Sequence, residues 1–201
     1  MKLYYHPVST FARRVRVALL EKNIACELVE LDLPGREHQQ DWYAALNPYT
    51  KVPTLVDGDL TLYESAAILA YLEATHPTPA LLPPDVRGRA LVDMHMRLCD
   101  AHLGRYAGAI LLPKRFMPPA SWDRAAIQAA RQELERHLTI VERELAQRPY
   151  LVGDSFTLAD LVYLPFLHFL ALMEVSAGAR VRAWAERLLA RPSAQATVPA
   201  R

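Results

Sequence analysis

The stretch Asn47-Pro48-Tyr49-Thr50-Lys51-Val52-Pro53-Thr54-Leu55, followed by Leu62-Tyr63-Glu64-Ser65-Ala66-Ala67-Ile68, reads as one recognition device. Val52-Pro53 is an X-Pro step ahead of a short β run, a place where a cis peptide bond can sit. A cis bond there would expose the Val52 N–H and C=O to an extended peptide, which can pair with them as an added strand. Glu64-Ser65 opens a helical run. Ser65 is placed to cap it, and the free N–H groups behind the cap suit a carboxylate. Glu64 adds a negative charge suited to an ammonium group. A small peptide carrying a carboxylate beside an amine, such as a γ-glutamyl group, fits this pattern.

The flanking pattern is strand, helix, strand, helix, strand, strand, helix. Residues 3–6 read as a short buried strand and 11–22 as a helix. Phe11, Val15, Ala18 and Leu19 fall on one face of that helix with Arg13, Arg14 and Arg16 largely outside it, and Arg13 and Arg14 read as a solvated face. Asn23 marks its end. Residues 25–33 alternate as a second strand broken by Pro34-Gly35, and 39–46 form a short helix ended by Asn47-Pro48. Asp57-Gly58-Asp59 between two β runs is a hairpin signal. A helix over 65–74 closes the unit. Periodicity alone establishes an α/β arrangement here.

Pro77, Pro79, Pro83 and Pro84 give residues 76–84 a linker composition. Beyond them the pattern is helical: one long helix over 86–112, an interruption at 113–119, and another helix over 121–148. In Asp154-Ser155-Phe156-Thr157-Leu158-Ala159-Asp160-Leu161, Thr157 can cap a helix while Asp160 reaches back to the cap N–H. Phe156 and Leu161 are spaced for a hydrophobic staple.

The 201 residues are 52% apolar and 22% charged, ordinary for a packed globular protein. A net charge of +1 gives no electrostatic case for nucleic acid or an anionic membrane. Cys26 and Cys99 form no CxxC motif and read as reduced, partly buried thiols; no His/Cys spacing suits a metal. No apolar run approaches the ~20 residues of a membrane helix, and no basic stretch precedes an apolar one at the start. The cytoplasm is the default compartment.

Taken with Lys2-Leu3-Tyr4-Tyr5-His6-Pro7-Val8-Ser9-Thr10 and Arg13-Arg14-Val15, these motifs resemble the soluble glutathione S-transferases over nearly the whole chain. The likeness is to the serine-type branch, in particular the phi class and its bacterial relatives. It implies an α/β thioredoxin-like N-terminal domain (1–76), a linker (77–86) and an all-α C-terminal domain (87–201). It implies glutathione as co-substrate, a small electrophilic, apolar second substrate bound between the domains, and a homodimer.

The chemistry implied is activation of a thiol. A free thiol has a pKa of ~8.5, and each unit of depression takes about 1.4 kcal/mol of preferential thiolate stabilisation. A hydroxyl donating to sulfur at a helix start can supply it. The resemblance puts that hydroxyl on Ser9, which can equally serve as a helix cap. Tyr5, where tyrosine-type relatives keep a catalytic phenol, and Thr10, where beta-class relatives carry a cysteine, are its rivals. Val52 and Pro53 match the peptide-pairing loop, and Glu64 and Ser65 the γ-glutamyl pocket. His38 matches a histidine near the glycyl carboxylate. Lys51 stands where phi enzymes usually carry Gln and can pair with a carboxylate; Gln39 replaces a common Lys. Phe11, Tyr106, Leu112, Phe116 and Tyr163 are candidate walls for the second substrate, each also readable as core. A glutathione-dependent isomerase, dehalogenase or peroxidase, or a non-enzymatic ligand-binding or scaffold module, shares the first domain. Intact Ser9, Glu64 and Ser65 argue against the scaffold.

Overall fold

The computed structural model describes residues 1–199. They divide into two compact units, Met1–Leu81 with the segment from Arg191 onward, and Leu82–Ala190. The sequence reading placed 87–201 together; the segment from Arg191 instead belongs with the first unit.

The first unit runs β1 (Lys2–Tyr5), α1 (Thr10–Glu21), β2 (Glu27–Glu30), a 3-10 turn (Glu37–Gln39), α2 (Asp41–Ala44), β3 (Thr54–Asp57), β4 (Leu60–Tyr63) and α3 (Ser65–Thr75). The sheet order is β2-β1-β3-β4. β1 runs parallel to β2 and antiparallel to β3, and β3 and β4 form the expected hairpin with Gly58 at φ +62°. This is the thioredoxin-like order. Leu3, Leu55, Val15, Ala18, Ile68 and Leu72 are buried between the sheet and its helices.

Arg13 and Arg14 do not form a solvated face. Arg13 is 2% exposed and Arg14 0%. Burying an arginine is costly unless its donors find acceptors; two of the Arg13 nitrogens do, while its Nη1 is buried without a hydrogen-bond partner. Arg13 Nε donates to Thr197 Oγ1 at 3.2 Å and its Nη2 to the Ala194 carbonyl at 3.0 Å, both in or just beyond α10 (Pro192–Gln195). Burial, with Arg16 adding repulsion, lowers the Arg13 pKa to about 10, still charged at neutral pH. At the far end of α1, Glu21 accepts a two-pronged bond from Arg191 at 2.8 and 2.7 Å, and a hydrogen bond from Ser193. These contacts explain why the last residues pack with the first unit.

Lys22, read as the end of a helix, is a buried knot. Its Nζ meets Glu73 at 2.7 Å and the carbonyls of His76 at 2.6 Å and Pro79 at 2.7 Å. Glu73 in turn accepts from the Leu81 N–H at 3.0 Å. The proline-rich segment is therefore held down as far as Leu81.

The second unit holds α4 (Val86–Leu98), a π-helical stretch (Cys99–Gly104), α5 (Arg105–Phe116), a 3-10 turn (Pro119–Ser121), α6 (Arg124–Glu144), α7 (Leu158–Leu167), α8 (Leu170–Met173) and α9 (Ala179–Leu189). The expected long helix carries a π turn over Cys99–Gly104, which inserts a residue and rotates the face beyond it. Pro113 does not end it. The only bond a proline forfeits is to the carbonyl of Ala109, which is exposed and can be hydrated, so the helix runs to Phe116.

The capping box at α7 is present and does more than cap. Asp160, fully buried, accepts from the Thr157 N–H (3.0 Å) and hydroxyl (3.2 Å), the Leu151 N–H (2.9 Å) and Trp184 Nε1 (2.9 Å). Burial pushes its carboxyl above the ordinary aspartate value, against the pull of those bonds. Asp160→Ala leaves four buried donors without a partner. It should cost about 3 kcal/mol or more, beyond the ~1 kcal/mol of a lost cap. A melting curve should drop by roughly 6 to 12 °C; an unchanged midpoint would contradict the assignment.

His95, His102, His137, Glu144 and Tyr163 line a recess in this unit. His137 stacks on His102 and on Tyr163, and its Nε2 is hydrogen-bonded to the Tyr163 hydroxyl at 3.0 Å. Burial lowers His95 to about 4, with Arg148 adding to it; burial, then His102, His95 and Arg136, lowers His137 to about 4. At neutral pH the 3.5 Å contact of His95 with Glu144 therefore joins a carboxylate to a neutral imidazole. Below the ordinary histidine pKa of ~6.5 the unfolded chain takes up protons that the folded unit refuses, so stability is lost as pH falls toward 4. For the two histidines together urea denaturation should show a loss of roughly 3 to 4 kcal/mol between pH 7 and 5. A flat profile over that interval would refute the buried neutral pair.

Candidate functional site

Strand register decides which loops meet. Tyr4 pairs with Thr54, and Thr54 with Tyr63, so these three residues form a row across β1, β3 and β4. Tyr5, at the end of β1, pairs with Glu30, at the end of β2. The chain leaves β1 toward Ser9, leaves β2 toward His38, enters β3 from Lys51-Val52-Pro53 and leaves β4 into Glu64-Ser65. Ser9, His38, Lys51, Val52, Pro53, Glu64 and Ser65 thus follow or precede strand ends that lie at one end of one sheet.

Ser9 is the N-cap of α1, and its Oγ accepts from the Ala12 N–H at 3.1 Å. A hydroxyl has two lone pairs and one proton. Capping uses a lone pair, so the O–H remains available to donate, at the positive end of a helix with no acidic residue in its first turn. Capping and thiol activation are therefore compatible roles. Tyr5 is differently placed. Its ring is buried beneath the Arg16 guanidinium at 4.7 Å, and its hydroxyl points to Glu30 at 3.4 Å. Thr10 is the first residue of α1.

The Val52–Pro53 peptide is cis. Among the described residues no hydrogen bond engages the Val52 N–H or C=O. The turn before it is held by two side chains that sequence reasoning passed over. Asn47 Nδ2 donates to the Lys51 carbonyl at 2.8 Å and to Thr54 Oγ1 at 3.1 Å, while its Oδ1 accepts from the Tyr49 N–H at 3.0 Å. The Tyr43 hydroxyl meets the same carbonyl at 2.6 Å and the same threonine at 2.8 Å. Asn47 had been read only as a helix stop. Lys51 is exposed, and among the described residues no ion pair engages its ammonium.

Glu64, not Ser65, is the N-cap of α3, and no side chain caps this helix. Its backbone lies at φ +72°, ψ 112°, a region costly for a residue with a Cβ. The result is an exposed carboxylate beside a helix start whose first N–H groups lack an intrahelical or side-chain partner. Ser65 is the first helical residue, 3% exposed, and its Oγ accepts from Arg14 Nη1 at 3.3 Å. Arg14, expected in solvent, is thus part of this corner.

His38 lies in the 3-10 turn, half-buried, with Nε2 at 3.4 Å from Gln39 Nε2 and Nδ1 buried without a hydrogen-bond partner. Asp32 shapes the approach to it by accepting from the Gly35 N–H at 2.8 Å; a Cβ on Gly35 would come within 2.1 Å of that carboxylate. Of the proposed wall residues, Tyr163 is fully buried, stacked on His137 and edge-on to Trp184, and is core. Leu112 and Phe116 are exposed. Cys26 is a thiol raised by burial, and Cys99 is buried with its Sγ 3.4 Å from the Val162 carbonyl. Among the described residues no group of three or more His, Cys, Asp or Glu is arranged to hold a metal, and no helix is long and apolar enough to cross a membrane.

Residues 3–80 match the glutathione S-transferase N-terminal domain family and residues 124–187 the glutathione S-transferase C-terminal domain family. Glutathione S-transferase 3 of Zea mays is 34% identical over 208 residues, spanning 100% of this chain and 94% of the relative. Glutathione S-transferase APIC of Nicotiana tabacum is 32% identical over 201 residues, spanning 96% and 94%. Among solved structures, poplar glutathione transferase F1 superposes with a TM-score of 0.89 at 27% identity, over 98% of this chain and 95% of that one. The chain belongs to the glutathione S-transferase family.

Proposed function

We propose that this chain is a serine-type glutathione transferase, phi-like in its site, in which Ser9 donates a hydrogen bond to the glutathione thiolate. The observation that carries the reading is the Ser9 hydroxyl, fixed by the Ala12 N–H at 3.1 Å with its own proton uncommitted at the start of a helix. As a member of its family the enzyme transfers the glutathione sulfur to an electrophilic carbon: an S–C bond forms as the leaving group departs or the acceptor double bond takes up the electron pair. Sulfur is a good nucleophile once ionised, so the protein's contribution is ionisation and positioning.

In this reading Val52 pairs its free N–H and C=O with the cysteinyl backbone, as an added strand does. Pro53 fixes the direction of that edge. The γ-glutamyl carboxylate sits at the start of α3 against Ser65, and its ammonium faces Glu64. Lys51 and His38 lie on the side of the glycyl carboxylate. The second substrate is small, electrophilic and apolar. The proposal extends to a cytoplasmic homodimer, as the family resemblance implies.

Ser9→Ala should lower kcat for a standard aromatic chloride at least tenfold while glutathione affinity changes less than threefold, because the hydroxyl acts on the ionised sulfur and not on the peptide. Steady-state kinetics with a parallel binding titration checks this. Undiminished turnover would remove Ser9 from the mechanism.

A further inference from the structure

Arg14 lies on α1 but reaches the start of α3, fully buried. Its guanidinium rests 4.7 Å from the Phe11 ring centroid and donates from Nη1 to Ser65 Oγ at 3.3 Å. Arginine has no acceptor and no neutral form at working pH. The bond can run in one sense only, from Arg14 to the serine oxygen. Accepting from Arg14 uses one lone pair of Oγ and fixes where that oxygen sits, while the Ser65 O–H stays available to donate; no side chain caps α3. A serine free of this constraint at the first turn of a helix could instead turn to accept from a backbone N–H.

We infer that Arg14 is a positioning residue for carboxylate recognition: it holds Ser65 Oγ in place at the start of α3, so that the serine hydroxyl and the helix N–H groups converge on one anion. This rests on the reading that the γ-glutamyl carboxylate of glutathione binds there. Arg14 does not touch the ligand and acts through Ser65. Its effect is confined to ligands that carry that carboxylate.

The test is a calorimetric cycle on the full chain. Wild type, Arg14→Gln, Ser65→Ala and the double variant are titrated with glutathione, and with a glutathione analogue lacking the α-carboxylate of its γ-glutamyl group. Arg14→Gln and Ser65→Ala should each weaken glutathione binding about tenfold, and the double variant no further than either alone. The analogue should bind all four proteins within twofold. If Arg14→Gln does not fold, Arg14→Lys replaces it: one donor remains, so its loss should be smaller and should vanish in the Ser65→Ala background. Multiplicative losses, or equal weakening of both ligands by the Arg14 variant, would reduce Arg14 to a packing role and overturn the inference. If wild type bound neither ligand, the glutathione reading itself would fall, an outcome distinct from a wild type that binds glutathione with an Arg14 variant that binds it equally well.

Discussion

The register that sets Tyr4 opposite Thr54 and Thr54 opposite Tyr63 is the constraint on which the site depends. A slip of one residue in either pairing would reverse which side chains face the helices and would separate the loops. With the register held, the start of α1, the Lys51-Val52-Pro53 edge and the start of α3 open at the same end of the sheet. Two helix starts then offer unpaired N–H groups there, one beneath a capping serine and one with no cap. Both favour negative charge. A ligand carrying a carboxylate and a potential thiolate meets complementary groups at each.

Buried charge is the second theme. Arg13, Arg14, Lys22 and Asp160 all lie below 5% exposure, and each bonds to a chain segment remote in sequence. Such groups add little net stability over an apolar core, yet removing one partner is costly. What they provide is specification. Arg13 and Glu21 seat the last helix on α1, Lys22 and Glu73 seat the segment up to Leu81, and Asp160 gathers a cap, a preceding loop and Trp184.

The parts of this arrangement legible in the sequence were those with local rules. Alternation and Gly58 marked the hairpin, the X-Pro step marked the loop, and the spacing of Thr157 and Asp160 marked the capping box. Glu64-Ser65 was legible as a helix start but not in its detail: the cap is Glu64, in a left-handed backbone conformation that sequence does not favour there. The arginines of α1 were misread because helical periodicity weighs a residue by type, and Arg counts as a surface residue until its partners are known. Those partners are Thr197, Ala194 and Ser65, far along the chain. Asn47 and Tyr43 went unseen for the same reason; their task is to hold a carbonyl, which leaves no pattern of its own.

The central claim is that this site ionises a thiol, and it can be tested without knowing the second substrate. Glutathione bound to the protein is titrated with pH while thiolate absorbance in the ultraviolet is followed. The account predicts ionisation of the bound thiol at least one pH unit below the ~8.5 of a free thiol, which corresponds to about 1.4 kcal/mol of preferential thiolate binding. Glutathione that binds with its thiol titrating at the free value would contradict it, and would leave a protein that holds the peptide without activating it.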